Sequence, residues 1–453
     1  MNELESQMAI AEIPDEILAH HLINRDDLEV VLGRPETYIR WFTLCTPFLW
    51  LTGLILPAAM ILLLGLLWRI PARKYLTDWL VLSWWMVSSV QAVAVFFNWI
   101  DSPESVGFLV RQLLSFTTSG WFVLGSALAI GKYSRFDSKE IVRDASILGL
   151  YIIIFGIIAL LIYIIYRLPT KFIATPFGYL LPEEMSLTRF FFTIRFYSFE
   201  ELFGTELPRL CLFYPWPLIL SFAGVGLLFM TIYENSKFWK YLGVTGALVA
   251  IFGSMGRMGV IAVTLSLLIF FWSKLRASAK WATVIICSTV LLVSLIGNLG
   301  SGVINSTVQK IEKSREGSTD ARRLGYELTW AAIRQSPVIG YGWVGDLISE
   351  EIPMPLGSHS TILGILYTGG AVTFASFCLA VISTLFSFLK KLATSGDSKR
   401  LSAFCIFLAL LLFTTTEGIN YFFISNLIIL FWLGMALTPL TADEEADHLL
   451  LLV

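Results

Sequence analysis

His359 lies where a polar segment, residues 355–360 (PLGSHS), runs directly into a long apolar stretch. The chain has four histidines, and the other three lie in a polar N-terminal segment and a polar tail. An imidazole can give up or accept a proton near neutral pH. The sequence therefore makes His359 a candidate general base at a membrane surface, with a hydrogen-bonded structural histidine as the alternative.

Three arginines, Arg209, Arg257 and Arg322, lie where polar segments or turns meet apolar stretches. The guanidinium fork matches phosphate oxygens bidentately and keeps its charge. Before Arg322 the residues STD at 318–320 and the spacing that follows predict a helix as far as residue 333. Its i, i+4, i+8 and i+11 positions share one face, occupied by Arg322, Tyr326, Trp330 and Ile333. The alternative for each arginine is a capping or snorkelling side chain.

The segment that follows predicts an anion-binding helix terminus. Ser358 is expected to cap the next helix and to place His359 in its first turn, where free N–H groups favour phosphate. The same positive surroundings would keep the imidazole neutral and able to accept a proton. Gly370 then falls on the same helix face about three turns further on. With Gly369 it predicts close approach of a helix or of lipid.

Composition defines the class of protein that must hold these residues. The chain is 56% hydrophobic and 15% charged, with a mean hydropathy of +0.74, outside the range of soluble domains. We therefore predict an all-α polytopic membrane protein with about 11–12 transmembrane helices. The five cysteines form no CxxC pair and no cluster with histidine, so neither a disulfide framework nor a metal site is indicated. No cofactor and no nucleic-acid partner is expected.

Apolar stretches predict the positions of the spans, and charge predicts their orientation. Lysine and arginine concentrate in alternate short loops, which the positive-inside rule places in the cytoplasm. Two long polar loops, at about 167–212 and 299–358, then face outward with His359 and the arginines. The predicted spans are 77–98, 108–131, 145–166, 213–233, 239–254, 257–273, 281–298, 360–389, 401–416 and 421–438.

Residues 38–70 leave two alternatives. One continuous helix would extend roughly 48 Å, against a hydrocarbon core of about 30 Å. Pro47 and Pro57 disfavour a continuous helix, so a hairpin broken near residues 53–57 is favoured, which brings the number of spans to twelve. The expected organisation is a polar N-terminal segment (1–37), a transmembrane catalytic domain (38–438) and an acidic cytoplasmic tail (439–453).

These motifs resemble the O-antigen ligase and polymerase superfamily. His359 and Ser360, followed after nine residues by 370–373 (GAVT), fit its pattern H-(N/S/Q)-x9-G-x-x-(G/T/Y). The helix from Arg322 and residues 337–342 (PVIGYG) are similar to its "R…P-x-x-G-x-G" stretch. Residues 209–217 resemble its "R-L-x-G-x-F-x-N-P-N" segment, although Trp216 and Pro217 replace the expected asparagine. Residues 254–259 resemble its "S-R-G" turn, and the ligase-like core covers about 209–375.

The resemblance implies a GT-C-like, metal-independent, inverting glycosyltransferase of the bacterial inner membrane. Its donor would be a glycan on undecaprenyl pyrophosphate, and its acceptor lipid A–core or another surface glycan, on the periplasmic face. By position, His359 would be the general base, and Arg209 and Arg322 would bind the pyrophosphate. Arg257 is a weaker candidate for the same role, and Arg323 is the alternative to Arg322 if the helix register differs by one.

Three functions remain open from the sequence. A ligase in lipopolysaccharide biosynthesis would move the whole glycan to a new acceptor. A polymerase of O-antigen or exopolysaccharide would use another lipid-linked repeat as acceptor. A transporter for the same lipid would bind the headgroup through its arginines without needing His359 as a base.

Overall fold

The computed structural model describes residues 34–101, 104–166, 173–180, 192–202, 205–275, 316–349, 355–395 and 397–438. The predicted span 281–298, most of the polar N-terminal segment and the acidic tail lie outside these residues. The described helices are α1 (Pro35–Thr52), α2 (Ile55–Trp68), α3 (Ala72–Leu76), α4 (Trp79–Asp101), α5 (Val106–Ser119), α6 (Trp121–Tyr133), α7 (Ser138–Tyr166), α8 (Pro217–Thr231), α9 (Lys237–Gly253), α10 (Arg257–Leu275), α11 (Glu316–Ile333), α12 (Thr361–Ser395), α13 (Ser398–Phe413) and α14 (Leu427–Ala436).

The helical membrane architecture predicted from composition is confirmed. In the described part of the chain, α4, α7 and α12 are each long and apolar enough to cross a membrane. Shorter apolar helices, among them α2, α8 and α10, accompany them. Their shared core is aromatic and aliphatic, whereas many residues on the outer faces of α1, α2 and α7 are exposed and apolar. That distribution is what a lipid solvent requires, since exposing an apolar side chain to lipid carries no hydrophobic penalty.

The segment 38–70 forms the predicted hairpin. Helix α1 ends at Gly53, whose φ of 82° is left-handed, a conformation that glycine adopts without steric cost. At the other end of the pair, the Arg69 guanidinium lies 5.4 Å from the centre of the Tyr38 ring. Tyr38 lies in the first turn of α1 and Arg69 follows the end of α2. The two helices therefore run antiparallel, with the start of α1 beside the end of α2.

Ion pairs join the helix ends on the side that the charge pattern assigns to the cytoplasm. Arg143 near the start of α7 contacts Glu234 after α8 at 2.9 Å. Lys132 near the end of α6 contacts Asp78 before α4 at 2.7 Å. Arg209, in the strand that precedes α8, therefore lies toward the opposite end of that helix.

Two predictions about the membrane segments are corrected. The span expected at 108–131 is broken at Gly120 into α5 and α6. The segment expected at 421–438 begins with 3-10 turns, and regular helix starts only at Leu427. In both places hydropathy predicted one continuous helix and the structure has a shorter one. Hydropathy indicates burial and does not report backbone conformation.

The loop at 167–212 contains a small antiparallel sheet in its described residues, which was not predicted from the sequence. Its strands, in the order β1-β2-β3, are β1 (Ile173–Ala174), β2 (Thr193–Leu202) and β3 (Thr205–Leu212). The β2–β3 hairpin pairs Ser198 with Arg209, and β3 leads into α8. The sheet thus fixes the direction from which Arg209 approaches the membrane domain.

Helix α12 is interrupted at Gly370, where φ is 63° and ψ is −167°. The broken turn is completed by residues 337–342. The N–H groups of Ala371 and Val372 donate to the carbonyls of Pro337 and Val338, and the carbonyls of residues 367 and 368 accept from the N–H groups of residues 341 and 342. The PxxGxG segment therefore supplies the hydrogen bonds that the helix loses, which buried backbone groups require, and it anchors the end of α11 to α12.

Candidate functional site

The start of α12 differs from the prediction at His359. The helix begins at Thr361, and Ser360 rather than Ser358 is its N-cap, with the Leu363 N–H at 3.4 Å from the Ser360 hydroxyl oxygen. His359 precedes the helix and has a left-handed backbone, with φ at 57°. The expectation that His359 lies in the first turn is therefore wrong. The helical phase that related it to Gly370 is also lost, because α12 is not continuous between them.

Helix α11 turns a face toward His359, and this face differs from the predicted one at one position. Arg322 and Tyr326 contact the site, and Thr329 is 2% exposed. Trp330 is 45% exposed and lies on another face. The inward positions follow i, i+4, i+7 spacing instead of i+8, because an α-helix completes two turns in slightly more than seven residues.

A carboxylate that the sequence analysis did not select completes the site. Glu417 follows α13, and its Oε1 atom accepts a hydrogen bond from Arg322 at 3.2 Å. Its Oε2 atom lies 3.9 Å from His359 Nδ1. The signal was present in the sequence, since Glu417 directly follows the predicted span 401–416 and is an acidic residue at its outward end.

The backbone holds Glu417 in this position. The Thr361 hydroxyl, in the first turn of α12, donates to the Glu417 carbonyl and accepts from the Ile419 N–H at 3.0 Å. The Thr361 N–H in turn donates to the Thr414 carbonyl. The start of α12 and the turn after α13 are therefore one hydrogen-bonded unit, and His359 and Glu417 cannot separate without breaking it.

The two nitrogens of the His359 ring lie in different surroundings. Nδ1 is buried and makes no hydrogen bond within the described structure, and the Glu417 carboxylate, 13% exposed, lies 3.9 Å from it. The side chain as a whole is 38% exposed. Because Nδ1 contributes none of that exposure, the accessible part of the ring lies away from Glu417, where an incoming group could reach it.

Two further arginine candidates, Arg209 and Arg257, meet at the turn of residues 254–257. Arg322 exerts an electrostatic repulsion on Arg257, so the two guanidinium groups are near each other. Arg209 donates from Nε to the carbonyl of Ser254 at 3.0 Å, in the turn that leads to Arg257. Like charges held this close favour an anion between them. Arg323, the alternative to Arg322, is exposed.

Gly370 lies away from these groups, in the break of α12. A side chain there would collide with the Val338 carbonyl oxygen. The close neighbour of Gly370 is thus the PxxGxG backbone, which belongs to the segment that anchors α11.

These features define a helical membrane protein with a cationic site and a His–Glu pair at one end of its helices. The family model described as O-Antigen ligase matches residues 242–378, a segment that runs from α9 into α12. This match supports the O-antigen ligase superfamily of ligase- and polymerase-type glycosyltransferases for this part of the chain. The match includes Arg257, Arg322, His359 and Gly370, whereas Arg209 and Glu417 lie outside it. A comparison with curated proteins gave no match.

Proposed function

We propose that this protein transfers a glycan from undecaprenyl pyrophosphate to an acceptor hydroxyl, on lipid A–core or another surface acceptor, at the periplasmic face of the bacterial inner membrane. The observation that carries the proposal is the grouping of His359, Glu417 and Arg322 at 3.2–3.9 Å within an O-antigen ligase fold. A base, a carboxylate partner and a phosphate-binding cation are the groups that such a transfer needs.

His359 acts as the general base in this proposal. A neutral imidazole with its proton on Nδ1, facing Glu417, presents an unprotonated Nε2 toward the accessible side. As Nε2 takes the proton from the acceptor hydroxyl, the imidazolium that forms is stabilised by the Glu417 carboxylate. The Nδ1–Oε2 separation of 3.9 Å exceeds a hydrogen bond, and catalytic hydrogen bonds commonly shorten only when substrate is bound.

The arginines act on the leaving group. The acceptor oxygen attacks the anomeric carbon, its proton passes to His359, and the bond from that carbon to the phosphate oxygen breaks. The electron pair leaves with undecaprenyl pyrophosphate, and direct displacement inverts the configuration. Arg322, Arg257 and Arg209 would bind the pyrophosphate and stabilise the negative charge that grows as it leaves.

Glu417 gives Arg322 a partner when no donor is bound. The Arg322 side chain is 35% exposed, and its ion pair with Glu417 at 3.2 Å gives the guanidinium a counter-ion. An incoming pyrophosphate would compete for the same guanidinium, and Glu417 would then be free to turn fully toward His359. Donor binding and activation of the base are thereby linked through one carboxylate.

Analysis of the glycans in a strain lacking the protein tests the proposal. A missing ligase leaves long glycan chains attached to undecaprenyl pyrophosphate, whereas a missing polymerase, the second candidate, leaves single repeats. The polymerase is kept because the matched family includes both activities. If the deletion strain shows neither product, both assignments are wrong.

One further measurement distinguishes a transferase from a transporter of the same lipid. Transport needs the headgroup-binding arginines but no proton acceptor. Loss of transfer in His359→Ala while donor binding persists supports the enzyme. Unchanged surface glycan in that variant contradicts the base assignment.

A further inference from the structure

The backbone of His359 is held in a conformation that residues with side chains rarely adopt. Its φ of 57° lies in the left-handed region, where the β-carbon crowds the following carbonyl. Non-glycine residues remain there when surrounding contacts determine the conformation, and such positions concentrate at functional sites. The contacts that hold His359 therefore indicate which residues control the direction of its ring.

Helix α11 provides these contacts from successive turns of one face. The Tyr326 hydroxyl donates to the carbonyl of His359 at 2.7 Å. One turn further along, the Thr329 hydroxyl oxygen accepts from the N–H of Gly357 at 3.1 Å. One turn earlier, Arg322 pairs with Glu417. A single rigid helix thus contacts the backbone on both sides of Ser358 and also the carboxylate that faces the imidazole.

The Tyr326 hydroxyl is suited to this contact. Burial, the main cause, raises the pKa of Tyr326, and Glu417 adds to the increase while Arg322 opposes it. The hydroxyl therefore stays protonated and can donate across the pH range in which an imidazole works as a base. Its acceptor is a main-chain carbonyl, so the bond fixes the peptide plane that follows His359 and not the ring itself.

We propose that Tyr326 is a positioning residue that holds the left-handed backbone of His359 and so aims Nδ1 at Glu417 and the opposite edge of the ring at the acceptor. The inference rests on the proposed function of His359 as the base. Without the Tyr326 hydroxyl, the backbone can relax to a right-handed conformation. The ring direction then changes, while the arginine groups that bind the donor remain in place.

The test compares Tyr326→Phe with Tyr341→Phe in the full-length protein reconstituted in phospholipid vesicles. Both changes remove a tyrosine hydroxyl that donates to a main-chain carbonyl, and the Tyr341 hydroxyl bonds Ala332 in the same helix at 3.0 Å. The donor is the lipid-linked glycan extracted from the deletion strain, and membranes of that strain supply the acceptor. For Tyr326→Phe we expect kcat to fall about tenfold, equivalent to about 1.4 kcal/mol, with KM for the donor unchanged. Tyr341→Phe should retain both constants.

A double-mutant cycle with His359→Ala separates positioning from a general loss of structure. If Tyr326 acts through His359, adding Tyr326→Phe to His359→Ala causes no further loss of transfer. A further tenfold loss in that background, or an unchanged kcat in Tyr326→Phe alone, overturns the inference. A different result contradicts the proposed function, namely full transfer by His359→Ala.

A second variant covers the case in which Tyr326→Phe does not accumulate as folded protein. Thr329→Val removes the acceptor for the Gly357 N–H and leaves Tyr326 and Arg322 intact. It should lower kcat in the same direction by a smaller factor, with KM for the donor again unchanged. Native kcat in a folded Thr329→Val protein would contradict the role of α11 as the support of this loop.

Discussion

His359 Nδ1 faces Glu417 Oε2 at 3.9 Å, and the other oxygen of the same carboxylate accepts a hydrogen bond from Arg322 at 3.2 Å. One carboxylate therefore lies between an imidazole and a guanidinium. Its hydrogen bond with Arg322 holds the guanidinium in place beside the imidazole. Because both partners compete for Glu417, any anion that binds Arg322 changes the electrostatic surroundings of His359.

Replacing His359 should abolish transfer and leave donor binding intact. His359→Asn is the sharper variant, because asparagine tolerates a left-handed backbone and removes only the proton acceptor. We expect transfer to fall by about 10²–10⁴-fold, the usual contribution of a general base. The measurement is the transfer rate together with binding of undecaprenyl pyrophosphate. Native transfer by His359→Asn would rule out general-base catalysis by this residue.

Glu417→Gln should lower kcat by about tenfold to a hundredfold, because a neutral amide cannot stabilise the imidazolium that forms during proton transfer. The change preserves the shape of the side chain and an acceptor for Arg322. Glu327→Gln is the matched control, since Glu327 is an exposed carboxylate on α11, and it should retain native kcat. If the two variants behave alike, Glu417 has no role beyond its place in the fold.

Arg322→Lys should be nearly as damaging as Arg322→Ala. Lysine keeps the positive charge but lacks the planar fork that binds two phosphate oxygens at once. The KM for the lipid-linked donor and the transfer rate check this, with Arg323→Lys measured in parallel. A large loss confined to Arg323→Lys would assign the phosphate to Arg323. Full activity of Arg322→Lys would exclude bidentate binding at this position.

Gly370→Ala should destabilise the protein by about 2 kcal/mol or more, because the residue has a left-handed φ and its β-carbon would collide with Val338. Gly65→Ala is the control, since a β-carbon at Gly65 meets no other atom within 4 Å. Melting temperatures of the purified proteins in detergent compare the two. Equal melting temperatures would mean that the PxxGxG segment does not depend on the break in α12.

Local sequence signals predicted those features that depend on neighbouring residues. The break near Gly53, the presence of the helix over residues 318–333 and most of the described spans were visible in glycine and hydropathy, whereas α11 begins at Glu316, before its expected capping residues. The sheet in residues 173–212 was not predicted, because strand pairing depends on register between distant segments. Trp330 was placed on the wrong face because an error of one residue rotates a helical position by about 100°.

The sequence by itself determined a helical membrane protein whose motifs fit the O-antigen ligase superfamily, and it predicted that His359 and the arginines lie at the outward ends of apolar segments. Hydropathy, charge and motif spacing are properties of the chain alone, so they can be read without the tertiary structure. Only the tertiary structure decided that Glu417 faces His359, that the His359 backbone is left-handed, and that Tyr326 holds it there. Those three relationships join segments far apart in the chain, and they exist because the packing of α11, α12 and α13 brings the segments together.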